Sequence, residues 1–234
     1  GSAMLAGWLD SGIPASSIWI SDPQPSAWLS ATGVNLNKNL PDNPAVCIIA
    51  VKPQIIFEAV SHLNGYQQSK TLFISIAAGI TLKQLEQAIS SDSKIIRAMP
   101  NTPSAVGKGI TALIGNSAAK NEHVLISKML LEKISEVVEL EHEDQMDIVT
   151  GLSGSGPAYV FYLIESLTNA GIELGLSNEK ALHLAKATVA GSGALAISSA
   201  ENPSVLRENV TSPNGTTQAG LEILMDKKYG LRPL

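Results

Sequence analysis

Two short runs, Ala45 to Val51 (AVCIIAV) and Thr71 to Ala77 (TLFISIA), are apolar almost throughout and do not alternate. A strand turns successive side chains to opposite faces, so a run apolar at every position must be covered on both. This excludes a sheet with one face in water and predicts a parallel α/β sheet with helices above and below. Ser17 to Ser21 (SIWIS) and Lys94 to Met99 (KIIRAM) are further candidate strands, and Leu82 to Ile89 (LKQLEQAI) spaces its apolar residues as a crossover helix does. Ile110 to Ile114 and Val137 to Leu140 extend the sheet, with a helix around Val124 to Ile134.

The β-like runs cease after Asp147. Pro157 to Leu174 is apolar on more than one face, with Phe161, Ile164 and Leu167 on one and Val160 and Leu163 on another, which reads as a buried helix. Ser177 is a candidate N-cap for a helix from Asn178 to Ile197, whose Ala185, Ala187, Ala190, Gly191, Ser192, Gly193 and Ala194 allow close helix approach. The pattern divides the chain into an α/β domain at 1–147 and an all-α domain at 148–234. The second is thin for an independent core. Both ends read as cut: residues 1–9 look like a helix already under way with a strand missing before it, and Leu231 to Leu234 like the start of another helix.

With 44% hydrophobic and 16% charged residues, the chain can bury a substantial core. Its net charge of −5 comes without a basic cluster, which argues against nucleic acid or an anionic membrane as partner. No apolar stretch has the length of a membrane span, and no signal peptide is visible. Cys47 is the single cysteine, so an internal disulfide is impossible; a buried, inert thiol in a reducing cytoplasm is expected. His62, His123, His142 and His183 are scattered, and no metal site is expected.

Two loops carry the functional signal. In Gly151 to Leu163 (GLSGSGPAYVFYL), glycines at 151, 154 and 156 permit positive φ and close approach, of a ligand or of neighbouring backbone, before Pro157 opens a helix. Ser153 and Ser155 lack a nucleophile-elbow setting and read as hydrogen-bonding liners. Asn209 to Thr217 (NVTSPNGTT) is a second polar, turn-forming loop before helical sequence. The amides of Gly215, Thr216 and Thr217 open that helix and make a seat for a carboxylate; equally, Thr216 or Thr217 is only an N-cap.

These loops, with Ala50-Val51-Lys52-Pro53-Gln54, Ala77-Ala78-Gly79 and Met99-Pro100-Asn101-Thr102-Pro103, resemble the signatures of the pyrroline-5-carboxylate reductase family in order and spacing. The resemblance covers nearly the whole chain. It implies a Rossmann-like parallel-sheet domain followed by an all-α dimerisation domain in which two copies interlock. It also implies reduction of 1-pyrroline-5-carboxylate to L-proline, the last step of proline biosynthesis, by hydride from NADPH or NADH. On the same resemblance Thr217 steadies the ring nitrogen as the catalytic residue, while Ser212, Gly215, Thr216 and Thr217 bind substrate. Gly1, Ser21, Asp22, Asn39, Ala50, Val51, Lys52, Pro53, Ala77, Ala78, Gly79 and Asn209 line the dinucleotide, Gly1 standing where the phosphate loop would end.

Read from the residues alone, Asp22 either accepts from the adenosine ribose, which would disfavour the NADP phosphate, or opens a turn with Pro23. Lys52 alone reads equally as a solvated lysine and Pro53 as a strand stop. Asn101 sits in a stiff segment suited to a site wall, and its amide has no proton to transfer. A dinucleotide-binding sensor without turnover is the rival reading, but it has no use for the carboxylate seat.

Overall fold

The computed structural model describes residues 1–61, 63, 66 and 70–231. His62 and the last three residues of the expected C-terminal helix start lie outside them. Two compact units are present, Gly1–Tyr159 and Val160–Leu234.

The first unit holds a five-stranded sheet of β3 (Val46–Ile49), β4 (Leu72–Ser75), β5 (Lys94–Met99), β6 (Gly109–Gly115) and β7 (Ser135–Glu139), in that order. Lys94 to Met99 is a strand over its whole expected length. The apolar runs are strands for the reason read from them: alternate residues pack into opposite faces. Phe73 and Ile95 join Ile56 and Val60 of α3 (Ile56–Ser61) and Leu82 and Leu85 of α4 (Leu82–Ala88) on one face. Leu72, Ile74, Ile96 and Leu113 join Met4 of α1 (Ser2–Asp10) and Leu131 of α5 (Asn121–Leu131) on the other. Phe73, Ile74, Ile95 and Ile96 are fully buried, each stabilising the fold by about 1.5–3 kcal/mol. Thr81 caps α4 reciprocally: its Oγ1 accepts the Gln84 N–H at 3.2 Å, and its own N–H donates to Gln84 Oε1 at 2.9 Å.

The sheet departs from the all-parallel expectation at one pairing. β3, β4 and β5 are parallel, as are β6 and β7, but β5 and β6 run antiparallel. Their connection is a 3₁₀ turn, Thr102–Val106, closed by Gly107 at φ +68°. It has no crossover helix, so the chain must reverse. The SIWIS run is also shorter and differently placed than expected. β1 (Trp19–Ile20) pairs only with β2 (Asn35–Leu36), in a separate two-stranded parallel sheet. A helix, α2 (Ala27–Ala31), connects them.

The glycine-rich run beginning at Gly151 is not a loop. α6 (Gln145–Val149) continues into a single π turn, Thr150–Gly154, and then into α7 (Gly156–Glu173). None of the three glycines has positive φ. Only Gly154 is at a close approach, where a Cβ would lie 2.7 Å from Met99 Cε.

The second unit contains most of α7 with α8 (Asn178–Ser198), α9 (Pro203–Asn209) and α10 (Thr216–Leu224). Gly175, at φ +100°, ends α7, and Leu176 N–H donates back to the Gly171 carbonyl at 3.0 Å. Ser177 Oγ caps α8 by accepting the Lys180 N–H. α7 meets α8 where Gly171 faces Ala181, a Cβ there being only 3.1 Å from the alanine's. Among the described residues of this unit only Thr168, Ala181 and Ala185 are buried. The burial expected for α7 is not supplied within one chain: Phe161 is 60% and Tyr162 70% exposed.

Candidate active site

In an open α/β sheet the ligand edge is the one formed by the carboxyl ends of the parallel strands. At that edge β3 ends in exposed Ala50, and Val51 packs back onto the core. Lys52, exposed, starts the 3₁₀ turn Pro53–Ile55. β4 is followed by buried Ala77, exposed Ala78 and Gly79, whose φ of +74° only glycine adopts easily and whose missing Cβ opens onto empty space. Gly1 lies against the end of β3, where a Cβ on it would be 3.9 Å from that of Ala50. A cleft of about 280 Å³ is lined by Gly1, Met4, Ile76, Asn101, Ser104 and Gly154, among others.

Ser21 and Asp22 follow β1. Asp22 Oδ1 accepts the Gln24 N–H at 2.9 Å, so its carboxylate forms a turn. Its backbone is clasped by Asn37: the Asp22 N–H donates to Asn37 Oδ1 at 2.9 Å, and Asn37 Nδ2 donates to the Asp22 carbonyl at 2.8 Å. Asn37 sits at φ +50°. Asn39 lies exposed two residues on.

The sequence reading passed over Arg97 and Glu143. Arg97, on β5, is 4% exposed, and its Nη1 lies 2.7 Å from Glu143 Oε1. The same oxygen accepts the Leu82 N–H, in the first turn of α4, at 2.6 Å. A lone arginine inside the apolar strand KIIRAM was the available signal, since such a charge is buried only with a partner. Ser104 was also missed; its Oγ is buried without a hydrogen-bond partner among the described residues. Cys47 is half-buried, not enclosed as expected, and burial pushes its thiol up to about 11.

In the second unit, the loop between α9 and α10 turns at Asn214, φ +61°. Gly215 is the N-cap of α10, so neither Thr216 nor Thr217 fills that role. The expected three-amide seat loses one member, because Gly215 N–H donates to the Ser212 carbonyl at 3.1 Å. The amides of Thr216 and Thr217 have no partner among the described residues, and both side chains are exposed. Gln218 stiffens the loop by accepting the Asn214 N–H at 2.8 Å. Asn209 Nδ2 donates to Glu201 Oε2 at 3.3 Å.

Among the described residues no group of three or more His, Cys, Asp or Glu side chains is arranged to hold a metal ion, and no helix is long and apolar enough to cross a membrane.

Residues 143–231 match the family model for pyrroline-5-carboxylate reductase dimerisation. A pyrroline-5-carboxylate reductase of Arabidopsis thaliana is 41% identical over 76% of this chain, which spans 64% of that relative's length. The Escherichia coli K12 enzyme of the same name is 34% identical over 98% of this chain and 87% of its own. The solved Plasmodium falciparum pyrroline carboxylate reductase with NADP bound superimposes with a TM-score of 0.86 at 31% identity, covering 96% of this chain and 85% of that one.

Proposed function

Since the chain belongs to the pyrroline-5-carboxylate reductase family, we propose that it reduces 1-pyrroline-5-carboxylate to L-proline with hydride from NADPH or NADH. The observation that carries the reading is the pair of open amides, Thr216 and Thr217, at the start of α10 behind a stiffened turn. Unpaired first-turn amides with the positive end of a helix dipole suit a carboxylate without an arginine. A sensor of dinucleotide alone would have no need of them.

The strand ends of the first unit fit a dinucleotide: Ala50, Ala77, Ala78 and Gly79 leave no bulk, and a Cβ on Gly79 would stand in empty space. Gly1, Val51, Lys52 and Pro53 at these strand ends, Ser21 and Asp22 after β1, Asn39 after β2, and Asn209 are assigned to the same dinucleotide by the family resemblance. The reduced nicotinamide, when bound, supplies the hydride. The amides of Thr216 and Thr217 hold the substrate carboxylate, with Ser212 and Gly215 shaping the turn beneath. Thr217 Oγ1 meets the ring nitrogen. The C=N carbon takes the hydride and the nitrogen a proton from water.

The second unit serves to dimerise. Its exposed Phe161, Tyr162 and Ile197, the last 82% exposed, are what a second copy would cover. The lone thiol suits a cytoplasmic enzyme.

The deciding experiment is oxidation of NADPH and NADH with and without 1-pyrroline-5-carboxylate, beside Thr217→Ala. The wild type is expected to oxidise dinucleotide only with the imine. The variant should lose turnover equivalent to about 0.5–1.5 kcal/mol with unchanged dinucleotide affinity. No imine-dependent oxidation would leave the sensor reading standing.

A further inference from the structure

Asn101 stands between two prolines at the end of β5, and both ends of its carboxamide are bonded within the chain. Oδ1 accepts the Ile110 N–H at 3.0 Å, and Nδ2 donates to the Ser153 carbonyl at 3.1 Å. The second bond has a cause in the sequence. In an α-helix the Ser153 carbonyl would take the N–H four residues on, but that residue is Pro157, which has none. The neighbouring amides are committed elsewhere: Ser155 N–H donates to the Thr150 carbonyl at 2.8 Å, closing the π turn, and Ala158 N–H to the Ser155 carbonyl at 2.9 Å. A carbonyl freed in this way needs a partner from outside the helix.

The same turn is fixed on either side of that bond. Gly154 allows it to seat on Met99, and Met146, fully buried, anchors α6. Upstream, Glu143 is bound to Arg97. Asn101 and Gly154 both line the cleft at the strand ends.

We propose that Asn101 is a positioning residue: it staples the π turn Thr150–Gly154 to the end of β5 and so fixes one wall of the cleft, without touching the ligand. Its effect on catalysis rests on the reductase reading above. One amide N–H of the carboxamide is spent on Ser153 and one lone pair of Oδ1 on Ile110, so the orientation of both polar ends is set by bonds within the chain.

Three variants of the full chain test this. Asn101→Asp keeps the acceptor for Ile110 but has no N–H for Ser153 and sets a carboxylate against a carbonyl. Asn101→Ala removes both bonds. Asn101→Asp/Pro157→Ala returns a backbone N–H at the helical position. Hydrogen exchange across 150–158, read by mass spectrometry, should quicken in Asn101→Asp while Tm falls by only a few degrees. With 1-pyrroline-5-carboxylate and a reduced dinucleotide deuterated at C4, kcat should fall roughly ten- to a hundredfold. The dinucleotide KM should move by less than about threefold, and the primary isotope effect should rise as hydride transfer becomes limiting. The double variant should recover part of the loss.

Unchanged exchange in Asn101→Asp overturns the staple. Faster exchange with unaltered kcat and isotope effect overturns the positioning role, and so does a raised dinucleotide KM at constant kcat, which would mean direct contact. If the wild type shows no imine-dependent oxidation, the reductase reading fails with the catalytic half of this proposal, while the exchange result still decides the staple.

Discussion

The guanidinium of Arg97 and the carboxylate of Glu143 meet at 2.7 Å, joining the middle of β5 to the segment that leads into α6. The arginine side chain is 5% exposed and the glutamate's 30%, so the two members are not equivalent. Removing Glu143 strands a buried cation whose other acid neighbour, Asp147, is 4.0 Å away, and it also takes the acceptor from the Leu82 N–H. Glu143→Ala should therefore destabilise by about 2–4 kcal/mol, somewhat below a fully buried pair. Arg97→Met should cost less, and the double variant less than the sum of the singles. Urea unfolding of the four proteins measures this; additive losses would show that the pair is not coupled.

Asp22→Asn separates the two readings of that residue. The amide oxygen can still accept the Gln24 N–H, so the turn survives, while the negative charge is gone. Like charges at 4 Å near a surface repel by about 4 kcal/mol at an effective dielectric of ~20, less with salt. A third of that is about tenfold. The NADPH to NADH ratio of kcat/KM should rise by at least several-fold in the variant, through the cofactor KM. A constant ratio would leave Asp22 as a turn former alone.

Ser104 and Gly109 form a close pair in which only one partner is replaceable. A Cβ at Gly109 would stand 2.9 Å from Ser104 Cα and collide with its hydroxyl. Gly109→Ala should destabilise by roughly 1–3 kcal/mol through overpacking. Ser104→Ala instead removes a buried hydroxyl that lacks a partner among the described residues. Such a group costs about 1–3 kcal/mol to bury, so thermal unfolding of this variant should occur at an equal or higher temperature than in the wild type.

Burial raises the Cys47 thiol from 9.0 to about 11. The folded value lies above the unfolded one, so the unfolded chain loses its proton first as pH rises. The contribution of this thiol to stability is therefore complete below pH 9 and is lost between pH 9 and about 11. Cys47→Ala should show a shallower fall in stability across that window than the wild type. Identical slopes would mean that the thiol is already open to solvent.

The exposed apolar faces of the second unit predict association. Full-length protein at low micromolar concentration should sediment as a dimer or a multiple of it. Phe161→Asp and Ile197→Asp should weaken that association and lower Tm, the charge being costly at a buried apolar contact. A stable wild-type monomer would remove the dimer from the proposal.

Strands β3 and β4 and the helices about them were legible because burial on both faces writes a continuous apolar run, as at Phe73 and Ile74. The reversal between β5 and β6 was not, since hydrophobic pattern reports burial and says nothing of strand direction. The π turn was hidden for a related reason. Glycine, serine and proline in succession are the composition of a loop, and only the backbone shows that Gly151 and Gly156 keep helical dihedrals. The lack of bulk at the strand-end alanines and the start of a helix near Thr216 were readable from local chemistry, while their assignment to a site rests on the family resemblance. The Gly215 amide was not readable, because its loss to the Ser212 carbonyl depends on how tightly the turn closes. Arg97 and Glu143 are 46 residues apart, and no spacing rule links an isolated arginine to its acid at such a distance.

An α-helix advances about 100° per residue, so a turn that accommodates one additional residue resets the azimuth of everything after it. The five residues of the π turn thus act as a phase setting for α7. Deleting one residue between Thr150 and Gly154 would leave Ala158 and Tyr159 in the first turn of α7 but rotate them by about a quarter turn relative to Met146 and α6. In this chain the azimuth at which α7 begins is therefore encoded by how many residues are wound ahead of Pro157, independently of which side chains the helix carries.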